Sequence, residues 1–225
     1  MRAVSRLVLT VILTSILSGC GVWAPLEGRI EDGIYTSPGN IFRVDVPVMR
    51  NPFVKAPDVI RDERRSDGGA EVIFSVTDLG EAWRYGALPL ASEALAGPGA
   101  LGEISDEQLL RFLVAPSKPN VVFEEAIQLA DGPGFLRIYF QDGASRLFTR
   151  SGSIEKRESA HIGVVVAVSM EKGYVLYAVG QFDMPMSQLR FFVEDVKMSR
   201  EKVLQRFASE QAQRLRELTT SFRLQ

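Results

Sequence analysis

Four sets of residues in this 225-residue chain are of types that could do chemistry. Cys20 is the only cysteine, and a lone thiol can be a nucleophile or a modification site but cannot build a disulfide, a zinc-thiolate set or a Cys-x-x-Cys redox pair. His161 is the only histidine, and as a general base it would need an acid to orient it and a nucleophile to activate. Spacing assigns neither. An enzyme would have to gather distant groups such as Glu125, His161 and Asp183 into one cleft, and His161 reads instead as a sheet-edge residue where a strand opens. Glu124 and Glu125 are adjacent, which sends them to opposite faces of a strand and keeps them from acting as an acid–base pair. Glu125 is in phase with Val121, Phe123, Ile127 and Leu129, so a β-bulge that re-aims it is expected, the alternative being an acid held in a pocket. Met184 and Met186, with Met170 and Met198, could offer thioethers to Cu(I), but two thioethers without a third ligand read as fillers of an irregular core. The sequence holds no Gly-x-Ser-x-Gly turn, metalloprotease histidine pair or phosphate-binding loop. No catalytic set, cofactor or metal site is expected, and the chain reads as non-enzymatic.

The residues around Cys20 indicate what its thiol is for. Arg2 and Arg6 flank the start of an apolar run, Leu7 to Leu17, eleven residues long and interrupted by Thr10, Thr14 and Ser15. That suits the apolar region of a secretory signal, whereas a membrane-spanning helix needs about 20 apolar residues. The next most hydrophobic run, Ile162 to Met170, stops after nine residues. Leu17-Ser18-Gly19-Cys20 then resembles the lipobox of bacterial lipoproteins. The resemblance implies cleavage before Cys20 and acylation of its thiol and new amino group, so that the mature protein is anchored in a membrane through Cys20 and not inserted across it. The chain divides accordingly into a signal peptide, 1–19, an acylated cysteine with its tether, 20–31, and a single domain, 32–225. Gly21 stands where inner-membrane lipoproteins of enteric-type bacteria carry aspartate, which implies the outer membrane with the domain facing the periplasm, the inner membrane being the alternative.

Composition agrees with one exported globular domain. Hydrophobic residues make up 46% of the chain and charged residues 24%, unlike a disordered tail. Removing Arg2 and Arg6 with the signal leaves 24 basic against 28 acidic residues, a formal charge of −4. A nucleic-acid partner calls for a strongly basic face and is not expected.

The elements follow from periodicity. Phe42, Val44 and Val46 alternate with polar residues as a strand with one buried face. Val48 to Gly69 reads as irregular, with Arg61-Asp62-Glu63-Arg64-Arg65 a solvated loop, and alternation resumes at Glu71 to Thr77, which pairs as a hairpin with a strand carrying Trp83 and Tyr85. Ser105, with Gln108 at capping-box spacing, starts a middle helix that Pro116 stops. Val121 to Ala130, Phe135 to Gln141 and a weaker piece around Arg146 to Thr149 read as strands. His161 to Met170 and Tyr174 to Phe182 form the clearest hairpin. Gly163, Val165, Ala167 and Ser169 give its first strand a face of small side chains that a helix can approach closely. Ser199 caps a long last helix whose apolar stripe includes Val203, Leu204, Ala208, Leu215 and Leu218. The other side of this helix carries Lys197, Arg200, Lys202, Arg206, Arg214 and Arg216, with Arg223 beyond, against Glu201, Glu210 and Glu217; this is either a contact for an anionic surface or a solvated face.

These elements predict an α+β fold, an antiparallel β-sheet packed against the long C-terminal helix and the shorter middle helix. Tyr35-Thr36-Ser37-Pro38 ahead of Phe42-Arg43-Val44, with Thr220-Ser221-Phe222-Arg223 closing the last helix, loosely resembles the PsbP-like group. Most members of that group are accessory and binding proteins and not enzymes. The expectation is a membrane-anchored periplasmic lipoprotein that serves an envelope protein partner; the alternative is a small-ligand or lipid-binding lipoprotein with a pocket between sheet and helices. The oligomeric state and the ligand-binding residues are open.

Overall fold

Alternating segments rich in β-branched and aromatic residues become strands along more than half of the described residues. A computed structural model describes residues 26–48, 57–76, 81–91, 120–142, 159–183 and 190–225. Cys20, the expected middle helix at 105–116, the piece around 146–149 and the Met184–Met186 pair lie outside these residues. In chain order the strands are β1 (Arg29–Glu31), β2 (Ile34–Thr36), β3 (Phe42–Asp45), β4 (Asp58–Arg64), β5 (Ala70–Val76), β6 (Glu81–Pro89), β7 (Asn120–Leu129), β8 (Gly132–Asp142), β9 (Ser159–Ser169), β10 (Tyr174–Asp183) and β11 (Arg223–Leu224). One long helix, α1, spans Arg200–Thr219.

The strands form two antiparallel sheets, a large one ordered β4-β5-β6-β10-β9-β8-β7 and a small one ordered β1-β2-β3-β11. The expected α+β class is corrected by this count: among the described residues the fold is mainly β, with one long helix against eleven strands. Part of the reason lies in β4, which reads in sequence as a charged loop because it has no apolar alternation. Its inward position is held by a carboxylate instead. Asp62 accepts hydrogen bonds from the Gly28 amide at 2.7 Å and from the Tyr35 hydroxyl, while Arg61 and Glu63 pair on the exposed side at 2.7 Å. Arg29–Glu31, assigned by sequence to the tether, pairs with β2 as the edge of the small sheet.

One face of the large sheet carries the main core. The small sheet packs there through an aromatic chain: the Tyr35 and Phe74 rings meet edge-on at 5.8 Å, Phe74 meets Tyr85 at 6.0 Å, and Phe222 sits between Tyr85 and Phe42 at 5.4 and 5.3 Å. Such edge-to-face pairs add about 0.5–1.5 kcal/mol each beyond the area they bury. Beside them α1 lies across β7, β8, β9 and β10. Ser199 caps it, its side chain accepting from the Lys202 amide at 3.3 Å, and Val203, Ala208, Ala212 and Leu215 are buried beneath it. The small-residue face of β9 lets the helix come down: a Cβ on Gly163 would lie 2.0 Å from Leu215 Cδ1. The opposite face of the large sheet is buried too, by Leu88, Tyr139, Ile162, Val164, Val166, Val175, Tyr177 and Val179.

The C-terminal strand closes the fold. Asp131, at the β7–β8 turn, accepts from Lys172 Nζ at 2.9 Å and from the Leu224 amide at 2.6 Å, and Lys172 also donates to the Leu224 carbonyl at 3.2 Å. Two hairpin turns of the large sheet thereby grip β11, which pairs with β3.

Candidate functional site

Buried polar groups are where chemistry would start, because desolvation makes them costly unless they are used. The most buried carboxylate described is Glu71 on β5, 1% exposed. Arg84 of β6 forms an ion pair with it, and the Tyr177 hydroxyl of β10 donates to it at 2.5 Å. Tyr177 reaches two strands across because Gly86 lies between: a Cβ there would sit 2.3 Å from the tyrosine Cζ and hydroxyl. Burial, with the Glu71 charge beside it, holds the Tyr177 phenol well above its ordinary pKa, so it stays a neutral donor. Arg65 and Asp67 pair nearby at 3.2 Å. The group joins three strands from within, and Glu71, Arg84 and Tyr177 are occupied with one another.

Sequence reasoning missed this cluster. Its signal was indirect: Tyr174 to Phe182 is apolar on both alternating faces, the mark of a strand covered on both sides, and a strand covered on both sides implies that Glu71, two strands away on the second face, is buried.

His161 is not at a sheet edge. It pairs with Phe140 of β8 and Phe182 of β10 inside the large sheet and is 1% exposed. Its ring centroid lies 5.4 Å from that of Phe140, its buried Nε2 has no hydrogen-bond partner among the described residues, and burial lowers its pKa to about 4. Nothing joins it to Glu125. Register places Glu125 opposite Leu136, and Leu136 opposite Val165, four residues along β9 from His161. At strand dimensions that separates the two residues by roughly 16 Å. Asp183 lies beside the His161 end of the sheet, opposite Ala160, so the three groups do not converge.

Glu125 is explained by its surroundings. The β7–β8 register shifts between Val121 and Phe123, a bulge just ahead of it, and Glu125 forms an ion pair with Arg216 of α1, both about half exposed. Glu124, on the opposite face, pairs with Arg137 at 3.0 Å.

The cationic side of α1 is largely engaged. Arg216 has Glu125; Arg206 has Glu210 at 3.4 Å and stacks over the Phe192 ring; Arg214 donates to the Val48 carbonyl at 3.0 Å and lies over Trp83. Arg200 lies over the Phe140 ring. Lys197 and Lys202 are exposed at its N-terminal end.

That end also borders a groove of about 750 Å³ between β7 and the first turns of α1. Its apolar wall is Val121, Val122, Phe140 and Leu204, and its polar rim is Asn120, Arg200, Glu201 and Gln205. The volume is in the range of small-ligand sites, and the lining mixes an apolar floor with a few polar groups as such sites do. Phe140 links the groove to the core, touching it on one side and His161 on the other.

No family model and no curated protein matches the chain. Among solved structures it is similar to the 1.9 Å crystal structure of the Saccharomyces cerevisiae Ran-binding protein Mog1p, with 11% sequence identity, 87% of this chain and 96% of that chain covered, and a TM-score of 0.49.

Proposed function

We propose that the protein is a lipid-anchored, non-enzymatic interaction domain, held at the outer membrane through acylated Cys20 and presenting the β7–α1 groove to an envelope partner. The observation that carries this reading is the position of the groove. It opens at the N-terminal turns of α1, whereas the first described residues, from Leu26, lead into the small sheet, as does the C-terminal end of α1. From Leu204 to Thr219 the helix spans about 22 Å at 1.5 Å per residue. A domain tethered at the small sheet would thus hold the groove away from the bilayer. The interior carboxylates also favour binding over catalysis, since Glu71, Asp62 and Asp131 are each bound by the segments they join.

A photo-crosslinking residue at Gln205, in the full chain in intact bacterial envelopes, tests this against the same residue at Ser209, exposed on α1 outside the groove. A discrete protein adduct from Gln205 alone, lost on Leu204→Arg, is expected. The apolar floor of the groove favours a second reading, a small apolar ligand in the same place. A retained small molecule seen by native mass spectrometry, with no protein adduct, would move the conclusion there, and neither result would sink both.

A further inference from the structure

A row of cations crosses the outer face of the small sheet. Register sets Arg29 opposite Thr36, Thr36 opposite Arg43, and Arg43 opposite Arg223. Residues directly opposite project from the same face, and here it is the face turned away from Tyr35, Phe42, Val44 and Leu224, all buried. At about 4.8 Å between strands the row is roughly 15 Å long. Arg43 and Arg223 are like charges directly across a strand pair, which costs stability. Among the described residues neither has a carboxylate partner, and the buried Arg43 Nε has no hydrogen-bond acceptor. Arg29 has only a 3.9 Å contact with Glu31, both side chains well exposed.

The acids of this face stand apart. Glu31, Ile34 and Asp45 form the neighbouring row, two residues further along the strands. Because the chain arrives from Leu26, Arg29 is nearer the tether than Glu31, so the cationic row is the one turned toward the anchor. Glu27, also on that side, is engaged by the Arg64 amide at 2.8 Å. Leu26 is six residue steps along the chain from Cys20, a reach of at most about 20 Å.

We propose that Arg29, Arg43 and Arg223 rest on the anionic phospholipid headgroups of the membrane that holds Cys20, fixing the orientation of the domain as well as its location. This deepens, and rests on, the anchored reading above. Headgroup phosphates supply the oxyanions that the row lacks, within a tether too short to carry it far from the surface. The cations of α1 are poorer candidates, since Arg206, Arg214 and Arg216 already have partners in the fold.

The full chain carrying Cys20→Ser tests the row without acyl groups. Its N-terminal apolar run contributes to both vesicle types, so binding to phosphatidylglycerol-containing vesicles is read relative to pure phosphatidylcholine. The expected result is preference for the anionic vesicles, reduced about thirtyfold by Arg43→Gln with Arg223→Gln and suppressed at 0.5 M salt, a screening length of only a few ångströms. Lys202→Gln with Arg206→Gln should leave it unchanged, and thermal melts should show both double variants folded. Equal binding to the two vesicle types, or loss caused by the helix pair and not by the sheet pair, would overturn the proposal. The intact mass of the wild-type chain reports acylation separately, so a failed anchor and a failed headgroup contact give different results.

Discussion

The Tyr177 hydroxyl donates to the Glu71 carboxylate at 2.5 Å across the space left by Gly86, joining β10 to β5 over the strand between them. Gly86→Ala would put a methyl group 2.3 Å from the tyrosine ring and hydroxyl and push the side chain off its acceptor. The cost should be about 1–3 kcal/mol for overpacking, and Tyr177→Phe should cost a similar ~1.5–3 kcal/mol by removing a hydrogen bond to a charged group. Urea unfolding of the two variants checks both, and a Gly86→Ala chain as stable as wild type would contradict the geometry.

Two Arg–Glu pairs should differ sharply in worth. Glu71 and Arg84 are 1% and 13% exposed at their side chains, so Glu71→Gln, which removes the charge beside a buried guanidinium, should cost about 3–5 kcal/mol. Glu125 and Arg216 are 40% and 44% exposed, and Glu125→Gln should change stability by less than ~1 kcal/mol. Denaturant midpoints at pH 7 measure the contrast, and equal losses would contradict it.

His161 should make the fold acid-sensitive. Its pKa falls to about 4 in the folded chain through burial, against about 6.5 when unfolded, so protonation favours the unfolded state. Its contribution is fully present above pH 6.5 and erodes as pH drops through the window between 6.5 and 4, so that the loss reaches ~3 kcal/mol at the lower end, at 1.36 kcal/mol per pKa unit. His161→Phe should flatten that part of the stability–pH curve, while an unchanged slope would assign the acid loss to other groups.

What the sequence made legible was the pairing of neighbours and what it hid was their company. The β9–β10 hairpin, the Ser199 cap and the small-residue face of β9 that a helix can approach all depend on spacing within a few residues, and they hold in the structure. The strand at 58–64 was hidden because Asp62, not an apolar side chain, fills its inward position. Glu71 was hidden because its burial depends on a second covered face of the sheet, and the row Arg29–Thr36–Arg43–Arg223 because Arg43 and Arg223 meet across 180 residues of chain. The walls of the groove come from β7, β8 and α1 together, an arrangement that no local spacing encodes.

The proposal stands most directly on the N-terminus of the mature chain. Intact-mass and N-terminal peptide analysis of protein extracted from bacterial membranes should find a chain beginning at Cys20 and carrying acyl groups, with Cys20→Ser left uncleaved and unacylated but folded. A wild-type chain that retains residues 1–19, or that begins at Cys20 without any acyl mass, would contradict it.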